Sequence, residues 1–427
     1  MPINKAASYM KKMELLVPAG GPETLKTAIL YGADAIYLGG EAYGLRAKAR
    51  NFTPDQLAEG IAFAHSQGVR VYVTVNIIGH NAHLEQLPAY LKSLYEMKAD
   101  AVIMADAGMI RVARQTVPEL EIHLSTQAGA TNYETFRFWA DQGIHRIVAA
   151  RELSLEEIAE IRARIPEETE IEAFVHGAMC ISVSGRCLLS QYLSGRSANL
   201  GACTHPCRWK YALMEESRPG EYFPIAEDEE GSYILNSRDL CMVEYLPQLR
   251  AAGLSSLKIE GRMKTPLYVA MTAKIYREAL DDLMEDPDRY EEKKPYYRAM
   301  LELVSHREYT TGFYLGKPDQ NAQVYDSADY VKKMDFVGKV LPEYRDGRQL
   351  VEQRGKFSVG DTLYLLTPRG PLEQVCITDL WDEQGGSIDS APHAQQKVLL
   401  KIPPQTAGTI LMKSRAGELT GSECTAL

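Results

Sequence analysis

Cys180, Cys187, Cys203 and Cys207, four of the chain's seven cysteines, fall inside the stretch EAFVHGAMCISVSGRCLLSQYLSGRSANLGACTHPC from Glu172 to Cys207. Six, fifteen and three residues separate them in turn, and Cys241 follows a little further on. Three chemistries gather thiols this way: packing as small hydrophobes, disulfides, or ligation of a metal or iron-sulfur centre. Gly177, Gly185, Gly195 and Gly201 run between them, and glycine lets a backbone fold tightly around something small. Zinc sites commonly pair close C-x2-4-C knuckles; here only Cys203 and Cys207 form one, and the wide first spacing suits an iron-sulfur cluster better. A single nucleophilic cysteine, with His176 or His205 as its base, is a third option. It leaves the other cysteines without a purpose.

A second group lies in LKIEGRMK, where Lys258, Arg262 and Lys264 surround one carboxylate, Glu260. Such a cluster suits an anion, a carboxylate or a phosphate, with arginine giving the bidentate grip. Glu260 could orient the cations or move a proton; a salt bridge with Arg262 is the plainer role. His176 is read as a ligand, a proton carrier or a structural histidine. Asn76, Asp106, Ser125 and Gln127 end apolar runs, where they could serve chemistry or cap helices. CRWKY, with Arg186 and Arg196 upstream, mixes cations and aromatics as a base-stacking surface does, and as a packed Trp beside a snorkelling Arg also does.

Something must hold these groups together, and the apolar patterning says what. Eight short runs, at Glu14 to Ala19, Ala35 to Gly39, Arg70 to Asn76, Ala101 to Ala105, Glu121 to Ser125, Arg146 to Ala150, Ile171 to Gly177 and Ser256 to Gly261, alternate with helix-like segments. Those segments include Pro54 to Ser66 behind Thr53 as N-cap, Leu84 to Met97, Tyr133 to Gln142 and Leu155 to Arg164. Buried strands each followed by a helix mean a parallel sheet, and eight such units are the closing number of a (β/α)8 TIM-like barrel. The joints ILYGADA, HSQGVRV, DQGIHR and AAGLSS place a glycine where a helix ends. The expected α/β architecture is therefore a barrel over 14–290 with a cysteine-bearing insertion, 178–254, after strand 7. Barrel chemistry occurs at the carboxyl ends of the strands, so the insertion and the polar strand ends should share one mouth.

Beyond the eighth run, a charged stretch within 291–327 reads as a linker or solvated helix face. From 328 to 415 alternating strands and turns read as a small C-terminal all-β barrel, with Cys376 in its core and Lys332, Lys333, Lys339, Arg345, Arg348, Arg354 and Lys356 as cations for docking RNA. Residues 416–427 read as a disordered tail. The chain has 427 residues, 45% hydrophobic and 24% charged, which excludes wholesale disorder. A net charge of -10 means that any nucleic-acid partner meets a local basic patch and not the global field. No apolar run reaches the roughly 18 residues of a membrane span, and the amino terminus lacks the pattern of a signal peptide. A cytoplasmic protein is expected, where structural disulfides are uncommon.

The segment EAFVHGAMCISVSGRCLLS resembles the signature of the collagenase-like family thirty-two of the unassigned peptidases, U32. The resemblance extends to ELLVPAGGPETLKTAILYGADAIYLGG, LSTQAGATN, GACTHPCRWKY, NSRDLC and LKIEGRMK, from Glu14 to about Gly316. Layout and length are similar to its tRNA-hydroxylating branch. What this implies is an oxygen-independent hydroxylase carrying a 4Fe-4S cluster on Cys180, Cys187, Cys203 and Cys207, with Cys241 also a family position. The implied reaction is formation of 5-hydroxyuridine at the tRNA wobble position with prephenate as co-substrate. Hydroxylation of ribosomal RNA or a quinone precursor, and the collagenase-like peptidase activity for which the family was named, are the alternatives. No protease triad and no HExxH zinc motif is present in the sequence.

Overall fold

A computed structural model describes residues 12–45, 51–179, 189–196, 198, 203–204, 212–213, 223–224, 236–316, 323–324 and 331–415. The chain falls into two compact units: residues 1–25, 34–263 and 308–328, and residues 26–33, 264–307 and 329–427.

The first unit is the barrel. Its strands are β1 (Glu14–Pro18), β2 (Ala35–Leu38), β3 (Arg70–Val75), β4 (Ala101–Met104), β5 (Glu121–Leu124), β6 (Arg146–Val148), β7 (Glu170–Ala178) and β8 (Ser256–Ile259). Each pairs in parallel with the next, and β8 pairs with both β7 (Lys258 opposite Phe174) and β1 (Lys258 opposite Leu16), which closes the ring. The expected runs and the observed strands coincide because strands covered on both faces are continuously apolar; β1, β2 and β4 are buried throughout. Helix Pro54–Ser66 starts at Thr53 in a reciprocal capping box with Gln56, and Leu155–Arg164 starts the same way with Ser154 and Glu157. The segment expected as one helix from Leu84 to Met97 is two, Asn81–Leu84 and Leu87–Glu96, the second starting with Pro at its N-terminal turn. Gly32, Gly68, Gly143 and Gly253, the four joint glycines, all have φ between 72° and 105°. Lys98 takes the same left-handed place, φ 64°, without that freedom.

The short strand Asp239–Cys241 pairs antiparallel with the end of β7, and Tyr309–Thr310 is added beyond it. Helix Leu246–Ala251 then leads into β8, so the ordinary strand-helix-strand repeat resumes inside the span assigned to the insertion.

In the second unit, helices Pro266–Glu285 and Pro287–Leu301 meet at Asp286, which ends the first and caps the second. The first part of the expected linker is thus helical. Around the joint of the two helices Asp282 accepts from Arg289 at 2.6 Å, Lys293 at 2.9 Å and Tyr297 at 2.5 Å. The β domain is a curled seven-stranded antiparallel sheet. Its hairpin Met334–Arg345 to Arg348–Gln353 turns through Asp346 and Gly347, both at positive φ, the Asp-Gly pair that a two-residue hairpin needs. Cys376 is exposed, against the expectation of a core position, because Glu373–Cys376 is the sheet's edge strand. Cys424 and the rest of the tail lie outside the described residues.

Candidate active site at the barrel mouth

Beside an apolar cluster that includes Leu16, Ala35, Ala101 and Ile103, the barrel encloses a network of buried charged and polar groups. At the amino end of β1, Glu14 accepts hydrogen bonds from Tyr72 (2.8 Å), Ser256 (2.9 Å), Arg70 and Arg146. Arg146 also bonds Glu170 at 2.6 Å and stands 3.5 Å from Glu172, whose other oxygen accepts from Lys258 Nζ at 2.7 Å. Burial pushes the Glu172 carboxyl up, but Lys258, Arg146 and His123 outweigh it and hold it below the usual carboxylate range. Lys258 Nζ lies 4.6 Å from the Tyr37 ring centre and 5.4 Å from that of Phe174. The lysine read as an open cation is therefore a buried, paired one, and period-2 alternation along β7 and β8 put it there.

Arg262, just past β8, does sit at the mouth. Its guanidinium donates to Thr74 Oγ1 (2.9 Å) and Asn51 Oδ1 (2.8 Å). Glycines make room for it: a Cβ on Gly39 would stand 2.4 Å from Arg262 Nη2, and one on Gly20 would stand 2.1 Å from its carbonyl oxygen. Gly39→Ala is accordingly expected to push the guanidinium off Thr74 and Asn51 without removing it. A small carboxylate probe bound about tenfold more weakly, near the value of one good hydrogen bond, with an unchanged melting temperature would register this. Tyr90, packed by ring on Tyr43 at 5.1 Å, is pushed up to about 12 by burial, with Tyr43 adding and Arg262 opposing.

Glu260 is tied to this group through Tyr37, whose hydroxyl lies 3.3 Å from Glu260 Oε2 and donates to Ile259 O at 2.9 Å. The Glu260 amide donates to His176 O at 2.8 Å, across a bulge where the β7–β8 register shifts. His176 is 1% exposed, opposite Cys241 in the ladder, with its ring 5.4 Å from that of Tyr309. Lys264 belongs to the second unit, where it donates to Ser305 O at 3.4 Å.

The remaining strand-end candidates divide as capping chemistry dictates. Asp106 accepts from Met109 N and Ser125 from Gln127 N, each as an N-cap, and Asn76 accepts from Leu45 N. Missed in the sequence were Glu172, Tyr37, Thr74, Asn51 and Arg151, the last stacked 4.0 Å from the centre of Phe174. The first letter of EAFVHG was the available signal for Glu172; nothing local marks the others.

Of the cysteines, Cys241 is buried and Cys203 half-buried, while Cys180, Cys187 and Cys207 lie outside the described residues, as do Arg186, His205 and CRWKY. Met179, the last described residue before Cys180, is buried just past the end of β7. Among the described residues no three His, Cys, Asp or Glu side chains are arranged around a metal site. The four thiols, with no Asp or Glu between Cys180 and Cys207, have the softness an iron-sulfur cluster requires. Cations of the β domain alternate with acids: Lys332 pairs with Asp335, Arg345 with Glu343, Arg354 with Glu352, and Arg348 stacks on Trp381. No helix among the described residues is long and apolar enough to cross a membrane.

The chain is similar to tRNA hydroxylation protein P1 of Bacillus subtilis, 38% identical over 96% of this chain and 97% of that one. It is likewise 38% identical to tRNA hydroxylation protein P of Escherichia coli, over 96% of this chain and 99% of the relative. A 23S rRNA 5-hydroxycytidine synthase of Escherichia coli is 37% identical over 64% of this chain and 40% of its own length. Residues 20–324 match Peptidase family U32 and residues 332–412 its C-terminal domain, so that barrel and β domain together place the chain in peptidase family U32.

Proposed function

We propose that this chain is an RNA-modifying hydroxylase that converts a tRNA uridine to 5-hydroxyuridine at the wobble position. What carries the reading is similarity along nearly the whole chain to proteins named for tRNA hydroxylation. A relative named as a 5-hydroxycytidine synthase supports the same chemistry, oxygen added at C5 of a pyrimidine. Replacing C–H by C–OH takes in one oxygen atom and withdraws two electrons, which protein side chains do not do alone, so a cofactor and a co-substrate must together supply the oxygen and accept the electrons. Cys180, Cys187, Cys203 and Cys207 are the residues proposed to hold a 4Fe-4S cluster, with Cys241 as the substitute ligand; when bound it supplies electron transfer without molecular oxygen.

The chain's own residues then bind and orient. Arg262, fixed by Thr74 and Asn51, is the group proposed to take a carboxylate of prephenate. Glu260, tied to Tyr37, is placed to hold or move a proton. A peptidase centred on His176 gains no support, since His176 and its ladder partner Cys241 are 1% and 2% exposed and a nucleophile must be reached by a peptide. Nucleoside mass spectrometry of tRNA and ribosomal RNA from cells lacking the chain, with and without the wild type restored, tests the substrate. Loss and return of 5-hydroxyuridine derivatives in tRNA is expected. A change confined to ribosomal RNA reassigns the substrate, and no change in either ends the reading.

A further inference from the structure

Resting on that reading of the mouth, we propose that Glu172, held by Arg146, is a positioning residue that fixes Lys258 inside the barrel against the Tyr37 ring, whose hydroxyl reaches Glu260 just past β8. The partners of this lysine are few: Glu172 from β7 at 2.7 Å, and the rings of Tyr37 from β2 and Phe174 from β7. Three features distinguish the arrangement from an ordinary surface pair. Both groups are at most 5% exposed, so neither is screened by water. Two aromatic faces accept the ammonium where a core would offer aliphatic carbon. Finally, the carboxylate is itself anchored, its second oxygen facing Arg146, which Glu14 and Glu170 hold from below.

Every charged group packed around Lys258 bears on its proton. Glu172 favours the ammonium; Arg146 on β6 opposes it; Glu14 on β1, bonded to Tyr72 of β3, offsets Arg146. His123 on β5 faces Glu172, Glu260 stands two residues further along the chain beside Tyr37, and Arg151 shares the Phe174 ring. β4 contributes the apolar Ala101 and Ile103. Neutralising Glu172 alone thus leaves a buried ammonium and Arg146 on either side of a group that no longer offsets them, and burial plus like charge drive a lysine toward its neutral form.

The experiment compares wild type, Glu172→Gln, Lys258→Met and the double variant as purified full chain. Glu172→Gln should gain a pH dependence of stability. Its lysine is neutral when folded and protonated when unfolded between the lowered pKa and about 10.4, the free-lysine value, so stability rises with pH across that window. Wild type and the double variant should lack this slope, and a slope missing from Glu172→Gln overturns the proposal. Hydroxylation by Glu172→Gln should fall about tenfold per pH unit above the lowered pKa, a decline absent from wild type. The double variant, whose buried pair is replaced whole, should melt near wild type yet hydroxylate no RNA. Recovery of activity along with stability would show that the pair only packs the barrel. A wild type that hydroxylates no RNA sinks the functional reading and leaves the stability slope to judge this one.

Discussion

Cys187→Ser is expected to purify without iron and to restore no 5-hydroxyuridine to tRNA in cells lacking the chain. Even partners that only touch a metal's ligands cost about 10–100-fold when removed, so loss of a ligand should leave below about 1% of wild-type product. Serine at Cys180, Cys203 or Cys207 should behave alike, because a cluster needs its ligands together. Cys241 is the informative fifth. Buried opposite His176 at the end of β7, it should tolerate serine with iron retained if the four carry the cluster, and lose iron if it belongs to the set. A peptidase would show the reverse pattern, with one cysteine indispensable, the rest dispensable, and gelatin cleaved by iron-free protein.

Arg262→Ala should raise the KM for prephenate at least about 100-fold, since two charge-assisted hydrogen bonds are worth about 1.5–3 kcal/mol each and 1.36 kcal/mol is a factor of ten. Arg262→Lys should recover little, because an ammonium cannot grip a carboxylate with two parallel bonds while holding Thr74 and Asn51. Unchanged KM in both variants would remove Arg262 from the site. The contrast with Lys258 matters here. Both are cations of LKIEGRMK, yet one is locked to Glu172 inside the barrel and the other stands where the glycines at 20 and 39 clear space for it.

That contrast also shows how far the residues could be read in order. Eight continuous apolar runs foretold the ring of strands, because a strand covered on both faces has no polar side to lose. The glycines at 32, 68, 143 and 253 foretold the helix ends through their positive φ. What local pattern could not carry was partnership across the barrel. Glu172 and Lys258 are 86 positions apart, and Arg262 and Thr74 are 188, so only closure of the sheet brings them together. The same holds for Cys376, whose apolar neighbours suggested a core strand until its place at the sheet's edge exposed it. Asp106 and Ser125 show the converse: their polar side chains end strands for the sake of the next helix's amides.

The most direct test of the account uses protein purified without oxygen, its iron and sulfide counted, and incubated with prephenate and tRNA from cells lacking the chain. Nucleosides are then read by mass spectrometry. About four irons per chain are expected, the stoichiometry of one 4Fe-4S cluster, with 5-hydroxyuridine appearing in step with iron content. Colourless protein carrying one zinc, or iron-loaded protein that returns the tRNA unchanged, would contradict it.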